Sequence, residues 1–443
     1  MAYQSLKGFR DILPEESPRW RRLEETIRSL MRRGGYGEVR LPIVEATELF
    51  ARGVGEGTDI VGKEMYSFLD RSDPPESITL RPELTAGAAR AFVQHSMMQV
   101  QPVTKWFYIG PMFRYEHPQA GRYRQFHQFG LELYGSPHPE ADAEVIVMGM
   151  ELLHELGIEN FRLRLNSIGT PEERIGYRAA LLAYLHAHVG ELSEDSVRRM
   201  DTNPLRVLDS KREEDIRATA NAPHIMDALG DESRGHFERV QQLLAAAGVG
   251  YTLDHRLVRG LDYYTRTAFE FQGLDLGAQD ALGGGGRYDG LIEQIGGRAT
   301  PAIGFSFGME RLLIAMENAG KSAGPEPETD IYVVGLDDDS RRWAFTQTME
   351  LRRQGFAADC DVLRRSLKAQ MREANRRGAR LAVIVGGSEL EARHAQVKDL
   401  AEGVQHGIAF DDLGGELRHM LERASSPQQG TADPAAPGPI SAS

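Results

Sequence analysis

The chain reads as an α+β protein: an antiparallel β-sheet domain with flanking helices, a helical subdomain, and a C-terminal α/β domain. Three observations carry this expectation. Residues 105–134, KWFYIGPMFRYEHPQAGRYRQFHQFGLELY, hold two strand patterns, about 106–115 and 125–133, joined by a long loop. Residues 166–250 turn to helical spacing behind Thr170-Pro-Glu-Glu173, a capping box. From Ile331 onward strand and helix patterns alternate, as in a layered domain with a mainly parallel sheet.

Composition bounds the rest. A chain of 443 residues has room for about two to four domains and a large core. Hydrophobic content of 41% and charged content of 26% are ordinary for a globular protein. The net charge of −13 means that any nucleic-acid surface must be a local basic patch. Cys360 is the single cysteine, which excludes an intrachain disulfide framework and a zinc–thiolate cluster and fits a reducing, cytoplasmic setting. The start MAYQSLKGFRDILPEE has no apolar core of a signal peptide, and no apolar run reaches membrane-spanning length. Thirteen histidines show no ligand spacing, so no bound metal is expected from protein ligands alone. No Gly-x-Ser-x-Gly elbow is present, and covalent catalysis lacks a nucleophile.

Taken in order, Ser17 is expected to cap a helix with Pro18 at its first position, an apolar stripe of Trp20, Leu23, Ile27, Leu30 and Met31, and Gly34 at its end. A strand over about 38–44 follows, broken by Pro42 and therefore at an edge or a chain boundary. In TLRPELT (79–85), Glu83 and Thr85 can offer acceptors to an ammonium group, and Thr85 also suits the N-cap of a helix running to about residue 99. In the hairpin, His127, Phe129, Leu131 and Leu133 alternate toward a core, while Phe126, Gln128, Gly130 and Glu132 share the other face. That polar face is a pocket floor or an ordinary half-solvated sheet face. Arg114 opens the loop, and Arg122 and Arg124 close it; guanidinium groups grip phosphates by paired, charge-assisted bonds. A helix is expected over 139–156.

Sheet patterning returns at Tyr251 with RGLDYYTRTAFEFQ (259–272) and ALGGGGRYDG (281–290). The glycine run lacks the Lys-Ser/Thr of a P-loop and the spacing of a dinucleotide site, which leaves close backbone approach to a ligand or a flexible turn. In PAIGFSFGMERLLIAME (301–317), Gly304, Ser306 and Gly308 share a strand face and leave a flat slot, opposite Phe305 and Phe307. Arg311 then falls in a first helical turn, where a cation is unfavourable unless an anion sits there. Residues 317–329 read as a linker. The C-terminal helices carry Arg352, Arg353, Arg364, Arg365, Lys368, Arg372, Arg376 and Arg377; a solvated charged face is the usual reading of such a run, and given the stretches upstream an RNA-contacting patch is expected here. The composition after Ala424 predicts disorder.

These stretches together resemble the class II aminoacyl-tRNA synthetases. The 17–44 helix and strand are similar to motif 1, although an ordinary helix–strand unit reads equally well; FRYEHPQAGRYRQFHQ resembles motif 2, and 301–317 resembles motif 3. RGLDYYTR and GGGGRYDG resemble the two histidine signatures of the histidyl-tRNA synthetases, and the agreement in order spans residues 1–424. The resemblance implies a class II catalytic domain in two parts, 1–165 and 251–320, a mainly helical insertion over 166–250, an anticodon-binding domain over 330–424, and a tail over 425–443. It implies formation of histidyl-adenylate from L-histidine and ATP with Mg²⁺, then transfer to tRNA(His), by a homodimer. By resemblance, Arg114 and Arg259 hold the α-phosphate and are the catalytic pair; Arg114, Arg122 and Arg311 bind ATP. Glu83, Leu84, Thr85, Arg114, Gln128, Glu132, Arg259, Tyr263 and Tyr264 surround histidine, with Glu132 and Tyr264 reading the imidazole. Gln119 is expected at the tRNA acceptor end, against the plain alternative of an exposed loop amide. Two rivals remain at this point. One is a synthetase-like, histidine-binding regulatory subunit of histidine biosynthesis; the complete C-terminal domain and Arg259 oppose it. The other is a different class II synthetase, which the two histidine signatures oppose.

Overall fold

The computed structural model describes residues 3–55, 58, 60–118, 121–259, 261, 263–277, 280–321 and 329–425. The chain divides into two compact units, Met1–Ala323 and Gly324–Ser443. The first carries an eight-stranded sheet in the order Gly37–Glu38, Thr104–Phe113, Gln125–Tyr134, Ala302–Gly308, Ala281–Arg287, Thr265–Gly273, Phe161–Ser167, Thr252–Leu253. The longer strands pair antiparallel throughout, and the two-residue edge strands pair parallel. The α+β class expected from the sequence is the class observed.

Alternation divides this sheet into two faces. Phe129, Leu131 and Leu133 join Phe269, Phe271, Phe305 and Phe307 in one core under the helices Ser17–Arg33, Pro139–Glu155, Asp231–Ala246 and Met309–Asn318. The rings interlock, with Phe271 stacked on Phe307 at 5.0 Å and Phe305 edge-on to Phe307 at 5.1 Å. Burial of each such ring contributes about 1.5–3 kcal/mol. The opposite face of the same strands carries Gln128, Glu270 and Ser306, and Gln128 stands across from Gly110 and Gly308.

Local details differ from the sequence reading in instructive ways. The first helix has Glu16 at its N-cap; Ser17 lies inside and donates its hydroxyl to Leu13 O at 3.0 Å. The expected 38–44 strand is two short strands, Gly37–Glu38 and Val44–Ala46, which belong to different sheets, with Pro42 between them. The helix after TLRPELT is Thr85–Gln94, followed by a separate turn, Met97–Val100. Its N-terminal N–H groups are satisfied by Glu83, which accepts from Thr85 N at 2.6 Å and Ala86 N at 2.8 Å, so the cap is Glu83 and not Thr85. The Thr170–Glu173 capping box forms as expected and starts the helix Pro171–Ala187; the helices Glu194–Met200, Leu205–Leu208, Glu213–Ala218 and Asp231–Ala246 complete this stretch.

The second unit is a five-stranded sheet ordered Ala358–Cys360, Ile331–Gly335, Leu381–Val385, His394–Asp399, Gln405–Ala409. The first three strands are parallel and the last two antiparallel. The pair after Val385 and the helix Leu413–Ser425 were not expected, because 394–409 is rich in charged and small residues and lacks a strong apolar alternation. The tail after Ser425 lies outside the described residues.

Candidate active site

A cavity of about 470 Å³ lies over the polar face of the central strands. Gln128, Gly283, Gly284 and Ser306 contribute its floor. Glu83, Leu84 and Thr85 reach it from the turn before Thr85–Gln94, and Arg114 and Arg122 from the ends of the hairpin. Arg259, Tyr263 and Tyr264 line it from the segment before Thr265–Gly273, and Arg311 from the first turn of Met309–Asn318. The glycine run has a steric purpose here. A Cβ on Gly284 would stand 2.7 Å from both Arg259 Nη1 and Phe269 O, so only glycine lets the arginine lie across the strand.

The cations fall into two groups. Around Arg311, three guanidinium groups face one carboxylate. Arg114 Nε donates to Pro82 O at 2.8 Å, its guanidinium lies 5.2 Å from the Phe126 ring centre, and Glu116 is 3.8 Å away. Arg122 Nε stands 3.2 Å from the same Glu116. Arg311 donates to Ala281 O and has no carboxylate partner among the described residues. Burial and then the repulsion of Arg122 pull its pKa below the ordinary guanidinium value. An under-compensated, half-buried cation cluster favours an anion with several oxygens.

The second group is balanced. Arg259 Nη1 donates to Glu270 at 3.2 Å, and Arg164 holds Glu270 at 2.8 Å and Asp254 at 2.6 Å. Burial works against the Arg259 charge, but Tyr264, Glu270 and Asp209 outweigh it and hold the pKa above the ordinary value. Arg259 Nε is buried and has no hydrogen bond. Asp209 is pushed up to about 6, by burial first and by Glu270, against the pull of Arg206, Arg259 and Arg164.

Glu132 stands apart from the other expected histidine contacts. It is fully buried and does not line the cavity. Its carboxylate accepts from Tyr108 Oη at 2.6 Å and from Tyr288 Oη, and burial drives its pKa up to about 8 despite those donors. Gly304, across the ladder, leaves the space the carboxylate fills. Tyr108, which donates to Glu132, is among the residues that line the cavity. Tyr288 is fixed in turn by its neighbour Arg287, which pairs with buried Asp142; Asp142 also accepts from Thr267 Oγ1 at 2.6 Å and lies 2.8 Å from His236 Nε2. The sequence reading missed Tyr108, Tyr288, Glu270, Arg164 and Arg206. Tyr108, Tyr288 and Glu270 sit within stretches it singled out, but nothing local names their partners. Gln119 lies outside the described residues. Among the described residues no group of three or more His, Cys, Asp or Glu could hold a metal.

Comparison with known proteins accords with this geometry. A family model described as histidyl-tRNA synthetase matches residues 8–312, and one described as an anticodon binding domain matches residues 330–420. The histidine–tRNA ligase of Halothermothrix orenii is 48% identical over 422 residues, covering 95% of this chain and all of that protein. That of Chloroherpeton thalassium is 50% identical over 416 residues, covering 93% of this chain and 97% of the relative. The crystal structure of apo S. aureus histidyl-tRNA synthetase superposes with a TM-score of 0.79 at 38% identity, covering 94% of this chain and 100% of that one. With residues of both histidine signatures lining one polar cavity and relatives matched over more than nine-tenths of its length, the chain belongs to the histidyl-tRNA synthetase family.

Proposed function

We propose that the protein is a histidine–tRNA ligase that joins L-histidine to ATP as histidyl-adenylate with release of pyrophosphate, then transfers histidine to the 3′-terminal adenosine of tRNA(His). The observation that carries this reading is one cavity that offers both an under-compensated arginine cluster and the Glu83–Thr85, Gln128 and Tyr263–Tyr264 wall. The substrate carboxylate is already a nucleophile, so activation needs no general base. It needs two anions held in line and charge stabilised at the α-phosphate.

In this assignment Arg259 and Arg114 meet the α-phosphate, and Arg122 and Arg311 meet the outer phosphates. Glu83, Leu84, Thr85 and Gln128 surround the amino group. Tyr264 reads the imidazole, and Glu132 acts from beneath through Tyr108 and Tyr288, whose hydroxyls it fixes. A site that hydrogen-bonds both ring nitrogens rejects other side chains because they leave buried polar groups unpaired. Gln119 is assigned to the tRNA acceptor end. Mg²⁺ fits as a companion of ATP: Glu116 Oε2 is buried without a hydrogen bond, an oxygen ligand of the kind this ion takes alongside phosphates. When bound it would neutralise phosphate oxygens.

The division into a bipartite catalytic domain (1–165 and 251–320), an insertion (166–250) and an anticodon-binding domain (330–424) is part of the same proposal. A homodimer is supported by exposed apolar side chains around the motif 1 segment, among them Ile43, Val44, Phe68 and Leu69. No helix among the described residues is long and apolar enough to cross a membrane, and the substrates belong to the cytoplasm. ATP–pyrophosphate exchange with each standard amino acid tests the reading. Histidine alone should support exchange; equal exchange with a second amino acid would refute it.

A further inference from the structure

We propose that Arg206, carried by the helical stretch between the two halves of the large sheet, is a phosphate-contacting residue of the catalytic cavity. The inference rests on the ligase reading above and extends it to a stretch to which no site role has been given. Arg206 lies on the short helix Leu205–Leu208, yet its side chain lines the cavity beside Arg259 and Glu270. It is half-buried, and its ion-pair partner among the described residues, Asp209, stands 3.6 Å away, outside hydrogen-bond distance. The side chain therefore borders the cavity without a hydrogen bond to any described residue.

Its placement is not accidental contact. Arg256 ties the surrounding helices to the sheet domain, donating to Thr219 Oγ1 at 2.7 Å and Ile216 O at 3.2 Å, and Lys211 Nζ meets Asp280 at 2.8 Å. The charges acting on Asp209 are Arg206, Glu270, Arg259 and Arg164, whereas those acting on Arg311 are Arg122, Glu116, Asp280 and Arg114. Arg206 thus stands on the Arg259 side, away from the cluster assigned to the outer phosphates. The phosphates that can reach that side are the α-phosphate of ATP and the last phosphodiester of the tRNA acceptor strand. Both present oxygen pairs to a planar fork.

The test uses the full chain with Arg206→Ala, Arg206→Gln and Arg206→Lys, each checked for folding by its thermal transition. Exchange with histidine and ATP, and charging of tRNA(His), are measured side by side. Removing one charge-assisted contact should cut charging roughly 10- to 100-fold. Arg206→Gln, which keeps most of the stem, should lose nearly as much as alanine, and lysine should recover part, since an ammonium keeps the charge without the fork. A parallel fall in exchange assigns the contact to the ATP α-phosphate. A fall in charging alone, with a shallower salt dependence of the tRNA KM, assigns it to the acceptor strand. Unchanged exchange and charging in folded variants would overturn the proposal, and so would a rise confined to the KM for histidine, which would make the ligand a carboxylate. A wild-type protein without histidine-dependent exchange would instead overturn the ligase reading.

Discussion

Two regions of this molecule are rich in arginine and use it in different ways. In the catalytic cavity, Arg114, Arg122 and Arg311 share one carboxylate, and Arg311 has none of its own. On the helices of the second unit, arginines are met by acids on their own or adjoining elements. Glu373 alone receives Arg365 at 3.3 Å, Arg376 at 2.5 Å and Arg377 at 2.9 Å; Asp359 pairs with Arg352 at 3.0 Å and Asp361 with Arg365 at 2.5 Å. Most arginines of the basic run that suggests an RNA-contacting patch are thus paired with surface acids. Lys368 and Arg372 are the exceptions, with no ion-pair partner among the described residues. Around Arg311 the cations outnumber the nearby acids, and on the second unit they mostly do not.

The largest test of that contrast is Arg259→Ala. Removal of a donor preorganised at developing charge typically costs ~10²–10³ in rate. Exchange should fall by that factor while histidine binding, read by calorimetry, falls far less. Arg259→Lys should restore only part. Wild-type exchange in the alanine variant would make this arginine structural and raise the regulatory-subunit alternative.

Next comes Arg311→Met, where activity and stability should move in opposite directions. The KM for ATP should rise about tenfold or more, as expected for loss of a charged contact. The fold should gain stability, because the folded-state pKa of Arg311 is depressed and its charge costs free energy at every pH where it is protonated. A lower melting temperature would mean that the guanidinium has a stabilising partner and that the two regions are not so different.

The second unit should show smaller effects. Lys368→Ala with Arg372→Ala should weaken charging several-fold at limiting tRNA and leave exchange untouched. Deletion from Asp330 onward should enlarge the same split, once folding of the remainder has been verified. Glu373→Ala should lower stability at neutral pH and flatten its acid limb. The Glu373 carboxyl is held at about 2, below its ordinary 4.5, chiefly by hydrogen bonds from Arg376 and Arg377. Its contribution is fully present above pH 4.5 and is lost as pH falls toward 2. Melting curves between pH 5 and 2.5 should therefore decline less steeply in the variant, with exchange at neutral pH unaltered. An unchanged acid limb would mean that these pairs contribute nothing, as many exposed pairs do.

The sequence by itself determined what depends on local periodicity and residue chemistry. Alternation assigned Phe129, Leu131, Leu133, Phe305 and Phe307 to the core, because successive side chains on a strand must point to opposite faces. The first-turn position of Arg311 already demanded an anion, since a helix start is positive whatever it packs against. The resemblance to the histidyl-tRNA synthetases named Glu83, Leu84, Thr85, Arg114, Arg122, Gln128, Arg259, Tyr263, Tyr264 and Arg311, and all of them line one cavity. Only the tertiary structure decided which groups meet. Glu83 spends its carboxylate on a helix start, Glu132 sinks beneath two tyrosines, and Arg206 arrives from a helix that looked like an insertion and nothing more. Arg287 finds Asp142 across 145 residues of sequence, and His236 completes that buried group from a third element. Such pairings follow from strand register and helix docking, and burial makes each of them obligatory because a buried charge without a partner is costly. That requirement becomes visible only once the chain has closed around the group.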